Sequence, residues 1–424
     1  MTSTSTSLDT EYEAARRRDA ADADAAARRE RFHVPIGRDG RPKAYLAGQS
    51  LGAQPKAART AVEERLDAWA RLGVDGWFEP GRPWIDVERD VAGATGRLVG
   101  ASPTEVTTAN TLSIDLHLLL ASFFRPDGAR RKILIDAPTF PSDRYVVESQ
   151  LRHHGLDPAG DLVVVRPRPG EDTVRSDDLD ETIGHHRDEL AVTLLGGVNY
   201  ATGQVLDIAR HTAAAHAAGA VAIWDLAHAA GNIQLALHDA DVDAAAWCTY
   251  KYLNSGPGAL AQLFVHDRYA TDPATPRLAG WWGNDPDSRF QMAETFVPGR
   301  GADGFRVSTP PILSLAPIAV SLAMFDEVGM PALRDRSIAL TGELERLVDT
   351  YVPDATVITP RDPRARGSQL SIRVGDAHAR LRALEPFDVV ADVREPDLIR
   401  LAPVPMYCRF EDVVRAVDAL ARTA

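Results

Sequence analysis

Apolar and polar positions divide the chain into three stretches. Glu11 to Arg31 is rich in Ala, Arg and Glu and predicts a helix, and KAARTAVEERLDAWARLG carries a second helical pattern that ends at Gly73, as a C-cap would. The polar first seven residues are expected to be disordered. In the middle of the chain, continuous apolar runs alternate with helical segments. KILIDA (132–137), LAVTLLGGV (190–198), AVAIWDLA (220–227) and DAAAWCTY (243–250) predict strands; TLSIDLHLLLASFF (111–124), SDRYVVESQLRHHG and DIARHTAAAHAAG predict helices. Runs of this kind form a largely parallel sheet covered on both faces. After the polar loop WWGNDPDSRF, GFRVSTPPILSLAPIAVSLAMFDEVG restarts a helix behind two prolines, and GSQLSIRV and FDVVADV add short strands. The fold class is therefore α/β. An N-terminal arm and helix (1–60) contributes to a small domain, a large domain spans 61–310 and a smaller C-terminal α/β domain spans 311–424.

Composition narrows the function. At 424 residues with 45% hydrophobic and 25% charged positions, the chain supports one large core and a smaller one. Its net charge of -13 argues against nucleic acid or an anionic membrane as partner. Two cysteines, Cys248 and Cys408, provide neither a disulfide framework nor a thiolate metal cluster. No signal-peptide core or membrane-length apolar run is present, so a cytoplasmic location is expected.

In parallel sheets ligands lie beyond the carboxyl ends of the strands, and those ends carry the chemistry here. AVAIWDLAHAAG brings Asp225 to a strand end with His228 three residues on. An acid there suits an N-cap, or a carboxylate paired with a protonated ring nitrogen. Lys251 follows the next strand in WCTYKYLNSGPGA, with LALHDADV as the expected crossover helix. A lysine there is commonly solvated; between Tyr250 and Tyr252, before glycines that permit close backbone approach by a ligand, it also suits a Schiff base. ANTLSIDLHLLLASFF opens a helix whose first turn and Ser113 could seat a phosphate. In APTFPSD, Phe140 could lie on a ring and Asp143 bond its edge, or they could be a core contact and an N-cap. Lysine, strand-end acid, helix start and aromatic platform together fit pyridoxal 5'-phosphate.

These stretches, with YLAGQSLGAQPK (45–56), LAGWWG (278–283), GFRVSTPPIL (304–313) and IRLAPVPMY (399–407), resemble kynureninase, a pyridoxal-phosphate hydrolase of the fold type I aminotransferase-like class. The resemblance implies hydrolysis of L-kynurenine to anthranilate and L-alanine through a Schiff base on Lys251, with Asp225 at the pyridine nitrogen and Tyr250 in proton transfer. It implies that Phe140 stacks on the ring, that His228 sits beside the cofactor, and that Leu112, Ser113, Asp143 and Tyr250 surround its phosphate and edge. Trp281 and Thr309 resemble residues contributed by a second subunit, implying a homodimer with composite sites, and Arg400 resembles the clamp on the substrate's α-carboxylate. Trp77 and Thr309 match members that prefer kynurenine over 3-hydroxykynurenine. Gln49, where the family usually has Asn, and Gly196, where some relatives have Ser, depart from the pattern.

Rival readings are weaker. A cysteine desulfurase or selenocysteine lyase needs a cysteine on a mobile loop, whereas Cys248 falls in a predicted strand and Cys408 beyond the arginine segment. An aminotransferase or aldolase of the same fold would be recognised by its keto-acid or aldehyde product, and a noncatalytic cofactor-binding regulator by a cofactor spectrum without anthranilate. No metal site is expected: His211 and His216 are five apart on a helix and point apart, and His153 and His154 read as solvated residues at a helix end.

Overall fold

The computed structural model describes residues 2–81, 83–270, 272 and 274–423, the first six of these by backbone alone. Among the described residues the principal sheet has seven strands: β1 Val106–Ala109, β2 Lys132–Asp136, β3 Leu162–Val165, β4 Leu190–Gly196, β5 Val221–Asp225, β6 Ala244–Cys248 and β7 Ala261–Val265. Their spatial order is β1-β7-β6-β5-β4-β2-β3. Neighbours from β6 through β3 run parallel, and β7 is antiparallel to both β6 and β1. The residues of β6 and β7 are all buried, which explains why their sequences do not alternate; the one polar side chain, Gln262, is hydrogen-bonded to Trp247, Thr95 and Thr108. Ala244 and Ala246 of β6 share a cluster with Leu116, Leu119 and Leu120, so the helix Leu112–Phe123 lies directly on the sheet. The helix Ala57–Leu72 ends at Gly73, which takes φ 55° and returns its N–H to the Trp69 carbonyl.

Two local expectations change. The expected crossover helix LALHDADV is a set of turns, because its amides bond elsewhere: Leu237 N–H donates to Val99 O at 2.9 Å and His238 N–H to Gly100 O at 3.0 Å. The stretch FDVVADV divides between two sheets. Val389–Val390 pairs in parallel with Ala44–Tyr45, whereas Asp392–Arg394 joins the small-domain sheet.

That sheet contains β8 Thr356–Val357, β9 Leu370–Arg373, β10 Asp392–Arg394 and β11 Leu398–Leu401, ordered β8-β9-β11-β10 and antiparallel throughout. The helix Thr2–Ala21 packs on the C-terminal helix Phe410–Arg422, where Tyr12 OH donates to Asp418 at 3.2 Å and Arg16 pairs with Glu411 at 3.1 Å. The disorder expected for the first seven residues is not found: the backbone of residues 2–7 is already part of the helix Thr2–Ala21, and Met1 lies outside the described residues. The helix Ile312–Val328 packs on Ala57–Leu72 and Arg89–Val99 before Gly329, φ 79°, turns the chain into Met330–Tyr351. No single described helix is long and apolar enough to cross a membrane.

Candidate active site

The carboxyl ends of the central strands surround one cavity. Asp136 ends β2, Gly196 ends β4 and Asp225 ends β5, while Lys251 lies in the turn just past the end of β6. The parallel register sets Gly196 beside Asp225 and Asp225 beside Ala246. Into the same cavity face Leu112 and Ser113 from one helix start, Phe140 and Asp143 from another, and His228, Tyr250 and Lys251 from the loops after β5 and β6.

Lys251 is not a solvated surface charge; it is 8% exposed, with Nζ 3.1 Å from His228 Nε2. It lies 5.6 Å from the centroid of the Phe140 ring and 5.9 Å from that of Tyr250. Burial, then the charges of Lys251, Arg400 and Arg394, hold the His228 imidazole well below its ordinary value, so the ring is neutral near pH 7. A neutral ring accepting from Lys251 at Nε2 carries its proton on Nδ1, which is buried without a partner. Phe140 is no core contact: the residue is 38% exposed and its ring meets Tyr200 edge-on at 5.2 Å. Asp143 is no N-cap either, because Phe140 holds that position, and the carboxyl lies buried in the first turn of Pro141–His153.

The acids are crowded. Burial first, then Asp225, to which it hydrogen-bonds, pushes Asp143 well above the ordinary carboxylate range. Asp136 is also raised, by burial and additionally by Asp225, against hydrogen bonds from Gly196 N–H at 3.2 Å and Asn199 Nδ2 at 3.3 Å. Three carboxyls therefore share a cavity whose lining offers one lysine and a neutral histidine. Tyr250 is pushed up by burial and by the neighbouring Cys248, so its phenol keeps its proton.

The same cavity contains an anion seat. The helices Leu112–Phe123 and Pro141–His153 both begin at the cavity, and neither has a side-chain cap bond. Their first turns leave N–H groups free, and Ser113 Oγ and Ser142 Oγ stand 2.7 Å apart between them. Ser142, Asp136, Asn199 and Tyr200 line the site without having been singled out from sequence. Asp136 obeys the same strand-end rule as Asp225 and Ser142 adjoins Asp143, so both had a signal; the loop residues Asn199 and Tyr200 had none.

Other expected residues lie elsewhere. Trp281 and Thr309 are exposed and outside the cavity. Trp77 packs edge-on to Trp84 at 5.6 Å and lies 5.7 Å from Trp282, beside a groove that includes Ile312 and Leu313. Arg400 is wholly buried and paired with Asp392 instead of opening into the cavity. Gln49 is buried and donates to Asp392 at 3.2 Å, and Gly196 lines the cavity. The glycines of NSGPGA do not approach a ligand there. Gly256 and Gly258 take φ 96° and 68° and line a separate groove with Leu51, Leu313 and Pro317, so their small size serves the turn.

Among the histidines, His211 pairs with Asp180 at 2.7 Å and His216 with Asp243 at 2.8 Å, on different partners as their spacing requires. Glu105, His238 and His266 bring potential metal-ligating atoms together at the opposite end of the sheet. The two imidazoles stack at 22° with centroids 4.8 Å apart, and His266 Nδ1 accepts the Arg268 N–H at 3.3 Å, which suits an ion-pair network more than converging ligands. Both cysteines are buried and their thiols pushed up chiefly by burial, which leaves a desulfurase nucleophile without a candidate.

Comparison with known proteins agrees with this geometry. Residues 333–420 match the family model of the kynureninase C-terminal domain. The chain is 52% identical over 422 residues to the kynureninase of Salinispora tropica, covering 97% of each chain. It is 49% identical to the kynureninase of Myxococcus xanthus, covering 96% of each. Among solved structures, a C-DES mutant with glycine linked to its PLP cofactor superposes with a TM-score of 0.75 at 18% identity, over 89% of this chain and 96% of that one. A cysteine desulfurase from Thermococcus onnurineus gives 0.74 at 15% identity, over 90% and 94%. These structural likenesses establish the shared large-domain and small-domain fold of type I pyridoxal-phosphate enzymes, and the sequence identity establishes the branch: the chain belongs to the kynureninase family.

Proposed function

We propose that the chain hydrolyses L-kynurenine to anthranilate and L-alanine with pyridoxal 5'-phosphate as cofactor. The observation that carries this reading is the buried Lys251 facing His228 at 3.1 Å in a cavity that also gathers crowded acids and two helix starts. The cavity fits the cofactor: its first-turn N–H groups and the hydroxyls of Ser113 and Ser142 suit a phosphate, and a protonated ring nitrogen answers the surplus of acid at Asp225 and Asp143. Bound there, the cofactor supplies an electron sink for charge developing at the substrate's α-carbon.

The protein's own groups do the rest. Lys251 would hold the cofactor and would take the substrate's α proton. Asp225, with Asp143 behind it, holds a proton on the ring nitrogen, and Phe140 offers an aromatic surface to the ring. Tyr250 moves a proton at the substrate's γ-carbonyl. Water then adds to that carbonyl: its OH stays on the departing anthranilate and a proton reaches the β-carbon as the bond between β and γ carbons breaks. Arg400 does not line the cavity but donates to the carbonyl of Tyr200, which does, and from there its end would take the α-carboxylate.

A homodimer with composite sites belongs to this reading. Trp281 and Thr309 lie outside their own chain's cavity, and Trp281 is 42% exposed beside Phe290 at 47%, with Met292 at 68%, an apolar surface suited to a second copy. The bulk of Trp77 and the short Thr309 favour kynurenine over the 3-hydroxy compound. The deciding experiment gives purified holoenzyme L-kynurenine and, beside it, 3-hydroxykynurenine. Equal amounts of anthranilate and alanine are expected; sulfide from cysteine, or a keto acid, would sink the proposal.

A further inference from the structure

Arg400 already holds a carboxylate, one from its own chain. Its Nε donates to Asp392 Oδ1 at 2.7 Å and one terminal nitrogen donates to Asp392 Oδ2, a side-on fork. The end of the guanidinium meets only neutral acceptors: the Tyr200 carbonyl at 2.7 Å and Ser50 Oγ at 3.0 Å. Asp392 is itself held from several directions, by the Gln49 amide at 3.2 Å, the Ser50 hydroxyl and an Arg394 terminal nitrogen at 3.3 Å. Asp392 and Arg394 lie on β10 and Arg400 on β11, with Asp392 directly opposite Arg400 in the register.

From this geometry we infer that Asp392 is the positioning residue for Arg400, fixing its side edge so that its end meets the substrate's α-carboxylate. This deepens the proposed function and rests on Arg400 being the carboxylate clamp. A substrate carboxylate displaces neutral acceptors more readily than a charged partner, because a charge-assisted hydrogen bond is about twice as strong as a neutral one. Burial would raise the Asp392 carboxyl, but Arg400, then Ser50 and Arg394, hold it below the ordinary range and keep it an acceptor. Arg394 also supplies positive charge that the Arg400–Asp392 pair, neutral as a unit, lacks.

The sign of one effect decides between positioning and competition. If Asp392 orients Arg400, the holoenzyme variant Asp392→Asn raises KM for L-kynurenine about tenfold with kcat little changed, since the fork becomes a single bond. If Asp392 merely competed with substrate, KM would fall, and the inference would be wrong. Inhibition by the amine that remains when kynurenine loses its carboxyl group should be unchanged in the variant; equal weakening there would reassign Asp392 to general support of the fold. Gln49→Ala, which removes one donor to Asp392, should shift KM in the same direction by less, and no shift in either variant overturns the proposal. Arg400→Gln run alongside separates the premise: if it leaves the preference for kynurenine over the decarboxylated amine intact, the clamp assignment itself fails.

Discussion

The two ends of the principal sheet carry similar residues to opposite effect. At the amino end, acids and bases are matched: buried Glu105 accepts from His238 at 2.8 Å and from the amides of Ser102 and Asp267, and Asp243 from His216 and Arg268. Burial would raise Glu105, yet His238 and the two amides bring it below its ordinary value. At the carboxyl end, Asp136 and Asp143 are both pushed up and the His228 Nδ1 has no partner. Matched charges hold a fold together, whereas an unmatched set in a cavity is prepared for something that completes it. That is why the histidine-rich amino end, although it gathers metal-ligating atoms, is the structural end.

Substitutions can break this comparison. The largest expected effect is at Lys251: Lys251→Ala should remove the bound-cofactor absorbance and lower kcat by about a thousandfold or more, the scale of losing a general base. Glu105→Gln should do the reverse, costing about 1–3 kcal/mol in denaturant unfolding while kcat stays unchanged. If Glu105→Gln abolished turnover in folded protein, the division of labour between the ends would be wrong. Trp77→His with Thr309→Asn should move the ratio of kcat/KM values toward 3-hydroxykynurenine, and an unchanged ratio would remove the role assigned to those side chains.

The smallest expected effect concerns Asp115, buried in the first turn behind the anion seat. Burial pushes it from 3.8 up to about 8, opposed by an Asn110 amide bond at 2.9 Å, and its Oδ2 has no partner. The folded protein thus keeps a proton that the unfolded chain releases, so stability from this group is full below about pH 4 and lost as pH rises through about 8. Asp115→Asn cannot titrate. Its Tm relative to the parent protein should rise by a few degrees between pH 6 and pH 9, and a pH-independent difference would show that Asp115 is ionised throughout.

Much of the fold was legible because both-sided burial leaves a local trace. The apolar runs of β2, β4, β5 and β6 were readable to within two residues at their ends, and Gly73 marked its helix end. β1 and β7 were not legible because Thr107, Thr108 and Gln262 interrupt their apolar runs, and β3 is only four residues long. The crossover expected at LALHDADV failed because its amides bond to Val99 and Gly100, far away in sequence. Asp225, Lys251, Phe140 and Asp143 were legible because strand ends and helix starts in a parallel sheet face one crevice.

The sequence by itself determined the α/β order, the strand-end acid and lysine and, through distributed resemblance, the family. Only the tertiary structure decided which charges go unanswered. Whether Asp225 crowds Asp143, whether His228 is neutral beside Lys251, and which carboxylate takes the side edge of Arg400 depend on distances between segments widely separated along the chain. Local sequence sets backbone preference and burial pattern, but Coulomb interaction and desolvation depend on the packed geometry.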